Sequence, residues 1–312
     1  MLLSGGMIGE FRQELLALLA CPDCHSSLVR SHEALTCVGC GRRYELRNGT
    51  PILFPKSLDV SHLRTEESLS KTMMKENRGT KERFDEDQWR SSKREFWSVV
   101  ADNIGKVPKT MINIGCGYDD SFKQFQDMGH LFVNFDLVYE ILEWLSSESN
   151  ARSTVAGDVK NLPFRDSSFD YLASIDLIHH EIKQLEQLLT SFHRLLRPGG
   201  LLFLEDVNAW GMFQFPKSIL LPKVLHRNLR SFYHNELLHS DHQPADYEFP
   251  TNPFKVKKTL ERIGFVDILF FRNRSYPTRN ERAYRIYTFF SDNDRVAKYH
   301  NYHYMLRAKK AV

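Results

Sequence analysis

From residue 110 onward the chain alternates short apolar runs with longer amphipathic stretches. The runs are MINIG (111–115), LFVNFD (131–136), STVAGD (153–158), FDYLASID (169–176) and GLLFLEDV (200–207). Continuous apolar runs of this length suit strands buried on both faces, and the amphipathic stretches between them suit helices. That alternation predicts a mostly parallel sheet with helices on both sides. Residues 265–271 and 303–309 are spaced as an antiparallel pair that closes one edge. Upstream, Trp89, Phe96, Trp97, Val100 and Ile104 recur at helical spacing across 88–105, predicting an amphipathic helix that packs on the sheet domain. Residues 57–83 are polar and poor in strand formers, and read as a linker with one or two short helices.

Composition narrows the class. A 312-residue chain with 42% hydrophobic and 26% charged residues can bury a sizeable core and is long enough for about two domains. The formal net charge of +3 selects no partner, although 272–312 carries ten Lys or Arg against three Asp or Glu and could attract an anion. No apolar run approaches the roughly 18 residues of a spanning helix. The apolar 11–20 segment is broken by Arg12, Gln13 and Glu14 and reads as no signal peptide. The cysteine usage suits a reducing compartment, which places the protein in the cytoplasm.

Four of the five cysteines carry the clearest local chemistry. Cys21 and Cys24 form one pair at i, i+3; twelve residues intervene before the second pair, Cys37 and Cys40. Two such knuckles joined by a hairpin present four thiolates to one point, the closed tetrahedral shell of a structural zinc ion. Disulfides would need an oxidising compartment, and a redox dithiol would need one pair, not two matched ones. The zinc ribbon is expected over 11–56, with the metal supplying stability that so small a core lacks. Its sequence, from LLALLACPDC through CVGCGRRYELRNGTPILFP, resembles the small zinc-ribbon activator that partners tRNA and release-factor methyltransferases.

The first strand of the larger domain runs into Asn113, Gly115 and Gly117, and the second ends at Asp136 nineteen residues later. Glycines after a strand let backbone approach a ligand, and a carboxylate at the next strand end can hold a ribose diol. Those two features leave an NAD-type ligand open. The ordered continuation closes it: Gly157-Asp158, Leu162-Pro163-Phe164, Ser168-Phe169-Asp170, then Leu196-Arg197-Pro198-Gly199-Gly200. Over 113–206 the chain resembles the class I S-adenosylmethionine-dependent methyltransferases of the broad type-11 group. The resemblance implies an α/β Rossmann-like sheet, parallel with an antiparallel C-terminal strand, in a domain spanning 110–312. It also implies S-adenosylmethionine as cofactor beside the structural zinc. Gly115 and Gly117 would border its methionine part, Asp136 its ribose, and Asp158 with the backbone of Val159 its adenine. Asp176 would stand near the sulfonium and the acceptor. The chain departs from the family at Asn113, where an acidic residue is usual, and at Tyr118-Asp119, where a further glycine is usual.

Methyl transfer from a sulfonium needs in-line placement above all, and a base only where the acceptor is protonated. His179, His180 and Asp206 are the candidates, with Asp176 and Glu205 at neighbouring strand ends. Insertions at 208–253, with four histidines and several aromatics, and at 272–301, basic and aromatic, are the expected source of acceptor specificity. The expected reaction is transfer to an O or N atom of a small-molecule or glycan/lipid-linked acceptor. An RNA acceptor is the alternative, disfavoured by modest net charge; an inactive cofactor-binding scaffold is the third reading. Oligomeric state is not legible in the sequence.

Overall fold

The computed structural model describes residues 11–312 apart from 33, 80–83, 148, 152, 212–249, 274–292 and 302. Eleven strands form one continuous sheet in the order β1-β2-β3-β4-β7-β6-β5-β8-β9-β11-β10. Its central part comprises β5 (Thr110–Ile114), β6 (Leu131–Asp136), β7 (Thr154–Gly157), β8 (Phe169–Ile175) and β9 (Leu196–Val207), all parallel to one another. The last two strands, β10 (Phe265–Phe271) and β11 (His303–Lys310), are antiparallel, and β11 pairs with β9. This is the α/β architecture that the strand–helix alternation predicted.

The order of strands fixes where a ligand sits. The chain runs outward from β5 to β6 and β7 on one side, then crosses to β8 and β9 on the other. At such a reversal the connections leave in opposite directions and open a crevice over the carboxyl ends of the strands. Asn113, Asp136, Asp158, Asp176 and Asp206 all lie at those ends.

The four short strands β1 (Leu28–Ser31), β2 (Ala34–Cys37), β3 (Arg43–Arg47) and β4 (Thr50–Leu53) build the cysteine ribbon as an antiparallel meander. Asn48 and Gly49 connect β3 to β4 with φ of 48° and 79°, a two-residue turn of the hairpin type that Asn-Gly favours. Strand β4 then pairs in parallel with β7, aligning Ile52 with Ala156 and Leu53 with Gly157. The Thr50 and Thr154 hydroxyls meet at 2.6 Å across this seam. The peptide units of 18–20 bond to those of 163–165. Phe11, Leu15, Leu19, Leu35 and Tyr44 share one buried cluster with Val133, Phe135 and Phe164 of the sheet domain. The ribbon therefore has no separate core. A parallel pairing leaves no local turn signal, so the sequence offered nothing to announce it.

Helices cover the central sheet. In α6 (Leu185–Leu195), residues 185, 188, 189, 192 and 195 are buried, the one-sided spacing of a helix lying on a sheet. The short helices α1 (Gln13–Leu16), α4 (Lys123–Asp127) and α5 (Tyr139–Ser147) precede it in the chain. Helix α7 (Pro253–Ile263) is capped by the Asn252 side chain and stopped by Gly264 at φ 111°; α8 (Asp294–Tyr299) precedes β11. The stretch read as short linker helices contains one 20-residue helix, α2 (Val60–Gly79), followed by α3 (Phe84–Asn103). In α3, Phe96, Trp97 and Val100 are buried against Phe125 and Phe132, as the amphipathic spacing predicted.

Candidate active site

Asp136 ends β6 and faces the turn after β5. Its two oxygens accept from Gly117 N at 2.9 Å and Val138 N at 3.0 Å. Burial raises its pKa, and the two amide donors only partly offset that. Gly115 and Gly117 hold φ of 70° and 52°, a region that L side chains rarely adopt. A Cβ on Gly117 would meet no atom within 4 Å, so the turn borders open space. Neither Tyr118 nor Asp119 has a positive φ. The loop therefore holds Tyr118 and Asp119 without left-handed backbone strain. At the base of the same crevice Asn113 is 2% exposed and its Oδ1 has no partner. A buried amide oxygen without a donor is costly, and a ligand's N–H or O–H could satisfy it. At the end of β7, Asp158 caps the short 3-10 turn Val159–Asn161 by accepting from Lys160 N at 2.9 Å.

The other side of the crevice holds the titratable groups. Asp206 is fully buried and takes His179 twice, from its amide at 2.9 Å and with the ring Nδ1 at 2.7 Å; Val207 N adds a third contact. A carboxylate at Nδ1 favours, for a neutral ring, the tautomer with Nδ1–H donating to Asp206 and the lone pair on Nε2. The His180 ring stacks on His179 with centroids 4.1 Å apart. Asp176 follows β8 at φ 52°, a strained conformation for a residue with a side chain.

His303, at the start of β11, is the group that the sequence reading missed. Its Nε2 lies 3.2 Å from Asp176 Oδ1 and its Nδ1 lies 3.6 Å from Glu205 Oε1. Burial alone would lower its pKa, but Asp176, Glu205 and Asp206 outweigh that and raise it to about 9. Asp176 would be raised by burial, and His303 reverses the shift to below the usual carboxylate range. Glu205 is raised, burial outweighing the same imidazolium. Lys93, reaching in from α3, acts on both acids in the direction of ionisation. A signal for His303 did exist: closing the sheet antiparallel to β9 sets the first residue of the last strand opposite Val207, beside Asp206.

Ligand atoms of Asp176, His179 and Asp206 lie within 4.8 Å of one another, a spacing compatible with a cation. These groups also have partners within the protein: Asp206 has the His179 amide, the His179 ring and Val207 N against it, and Asp176 Oδ1 stands 3.2 Å from His303 Nε2.

The four cysteines are a different case. Their Sγ atoms also converge within 4.8 Å, with Cys21 to Cys40 at 3.7 Å and Cys24 to Cys37 at 3.4 Å. Zinc–sulfur bonds of about 2.3 Å arranged tetrahedrally set sulfurs about 3.8 Å apart, so the set fits zinc; a disulfide needs about 2.05 Å. Tyr44 bonds Cys21 Sγ at 3.0 Å from outside the shell, and Arg42 pairs with Asp23 between the two knuckles. The four thiols leave no position for a substrate.

The aromatics and histidines expected to select an acceptor, from Phe213 to His242, lie outside the described residues, as does most of the second insertion. No helix among the described residues is long and apolar enough to cross a membrane.

Comparison with known proteins finds matches in both parts of the chain. Residues 112–204 match the methyltransferase-domain family, and residues 12–49 match the Trm112p-like protein family. A malonyl-[acyl-carrier protein] O-methyltransferase of Pseudescherichia vulneris is 34% identical over 93 residues, 30% of this chain and 37% of its own length. A human mitochondrial arginine-hydroxylase, NDUFAF5, is 27% identical over 113 residues, 35% of this chain and 32% of its own. The chain thus spans about a third of the length of these relatives. A solved phosphoethanolamine N-methyltransferase of Haemonchus contortus is 18% identical, covering 70% of this chain and 53% of its own with a TM-score of 0.47.

Proposed function

We propose that this chain, which joins a Trm112p-like ribbon to a methyltransferase domain, transfers a methyl group from S-adenosylmethionine to an O or N atom of a small-molecule or glycan/lipid-linked acceptor. The observation that carries the reading is the paired architecture at the ends of β5 and β6. There the Asp136 carboxylate stands beside open space at Gly117, with the unpartnered Asn113 Oδ1 below it. These residues fit the cofactor. Asp136 has lone pairs left for two ribose hydroxyls, Gly117 leaves room for the methionine part, and Asn113 Oδ1 can accept from its amine. Asp158 and the amide of Val159 would face the adenine.

Bound S-adenosylmethionine supplies an electrophilic methyl on a sulfonium. The chain's own work is to place the acceptor in line and to take up a proton. His179 is built for the second task. Asp206 grips its amide and its Nδ1, fixing ring position and tautomer together, so Nε2 remains as the base. Asp176, held ionised by His303, stands between the donor and acceptor sides as an acceptor of N–H or O–H groups. For an O–H acceptor, His179 Nε2 would take up the hydroxyl proton. The cysteine ribbon would hold zinc for stability, with Cys21, Cys24, Cys37 and Cys40 as its ligands. We place the protein in the cytoplasm on its cysteine usage.

The match of 12–49 to the Trm112p-like family supports a second reading with an RNA acceptor. Screening acceptors with isotopically labelled methyl donor separates the two. Label entering low-molecular-weight or lipid-linked material supports the first reading; label entering tRNA or rRNA supports the second. The NDUFAF5 relative, named a hydroxylase, adds a control: product from an arginine peptide that is oxygenated and unlabelled would contradict methyl transfer.

A further inference from the structure

The two positions at which the glycine loop departs from its family are the positions that tie it to the helices before the domain. Asp119 is 4% exposed and accepts from the indole Nε1 of Trp97 at 2.6 Å. Its other oxygen accepts from Ser121 N at 3.0 Å and sets the turn into α4. Tyr118 meets the Ser70 hydroxyl of α2 at 2.6 Å and packs edge-on against Trp144. Trp97 is 1% exposed and is wedged against Phe96, Phe125 and Phe132, so its N–H has a fixed direction. An indole N–H aimed at a buried carboxylate is a charge-assisted bond in a dry setting, where it is strong and directional. From Asp119 the chain runs back through Asp119 N→Cys116 O to Gly117, whose amide holds Asp136.

Resting on the methyl-donor reading above, we infer that Trp97 is a positioning residue for the cofactor, acting through Asp119 to hold the 115–121 loop in its binding shape. The bond reaches α3, which lies outside the stretch that matches the methyltransferase domain. Lys93 lies one turn before Trp97 and acts on Asp176 and Glu205. One face of α3 thus serves both the cofactor loop and the acceptor side.

The test uses the full-length, zinc-loaded protein and the variants Trp97→Phe, Asp119→Ala and the double variant. Phe keeps the packing and removes the donor; Ala removes the acceptor. Calorimetric titration with S-adenosylhomocysteine should show affinity weakened about tenfold in Trp97→Phe and in Asp119→Ala, with the double variant no weaker than Asp119→Ala alone, because both changes remove one shared contact. Hydrogen exchange without ligand should quicken at the amides of 117–121 in all three variants. Unchanged affinity and exchange in Trp97→Phe overturns the proposal. So do losses that add in the double variant, because the two side chains would then act independently. If wild type binds no cofactor, the functional reading fails, while the exchange pattern still decides whether Trp97 holds the loop.

Discussion

On the proposed function, Asp136 and His179 each have one task that their surroundings suit. Burial raises the pKa of Asp136, and two backbone donors oppose that rise. On acidification, cofactor affinity should fall at a higher pH than an ordinary aspartate would impose, a trend that titration between pH 4 and 7 measures. His179 is held at Nδ1, and His179→Gln should lower turnover about 10²–10⁴-fold against any hydroxyl acceptor the wild-type protein methylates, with cofactor affinity unchanged by calorimetry. His303 gives a stability prediction. Its folded pKa, about 9, lies above the ordinary 6.5, so its contribution is fully present below about 6.5 and is lost as pH rises through about 9. The melting-temperature gap between wild type and His303→Gln should therefore be largest near pH 6 and shrink steadily by pH 9.5. A gap that stays constant with pH would contradict the ion-paired imidazolium.

At the level of elements, periodicity foretold most of the sheet. Strands β5, β6 and β8 fall on the runs MINIG, LFVNFD and FDYLASID because each run is buried on both faces. The Cys-x-x-Cys pairs foretold the metal set, since two knuckles on a hairpin can hardly do otherwise. What was not legible depends on partners distant in sequence. The β4–β7 seam joins residues about a hundred positions apart, and its hydroxyl pair, Thr50 and Thr154, carries no motif. Removing one side as Thr154→Val should cost about 1 kcal/mol, measured by denaturant unfolding. The His303 contact depends on a strand that arrives after an insertion of unpredictable length. The long α2 was hidden because its sequence is polar nearly throughout, which periodicity cannot tell from a loop. Replacing Cys37 by Ser should release the metal and lower the melting temperature by more than about 5 °C, because the ribbon shares its core with the sheet. Metal content by mass spectrometry and a thermal scan check both halves of that expectation.

Across the whole molecule, the ribbon, the two linker helices and the sheet divide one job. The ribbon covers the β7 edge, which would otherwise present unpaired backbone groups. Helix α3 bonds to the glycine loop through Trp97 and Asp119, and β11 brings His303 beside Asp176 and Glu205. On the proposed function, β5, β6 and β7 carry the crevice for the methyl donor, and β8, β9 and β11 carry the side that takes up a proton. The most direct test of this account is calorimetric titration of the full-length, zinc-loaded protein with S-adenosylmethionine and, separately, NAD, repeated with Asp136→Ala. The account predicts micromolar binding of the methyl donor alone, lost by about a hundredfold or more in the variant. Binding of NAD, or no binding of the methyl donor by the wild-type protein, would contradict it.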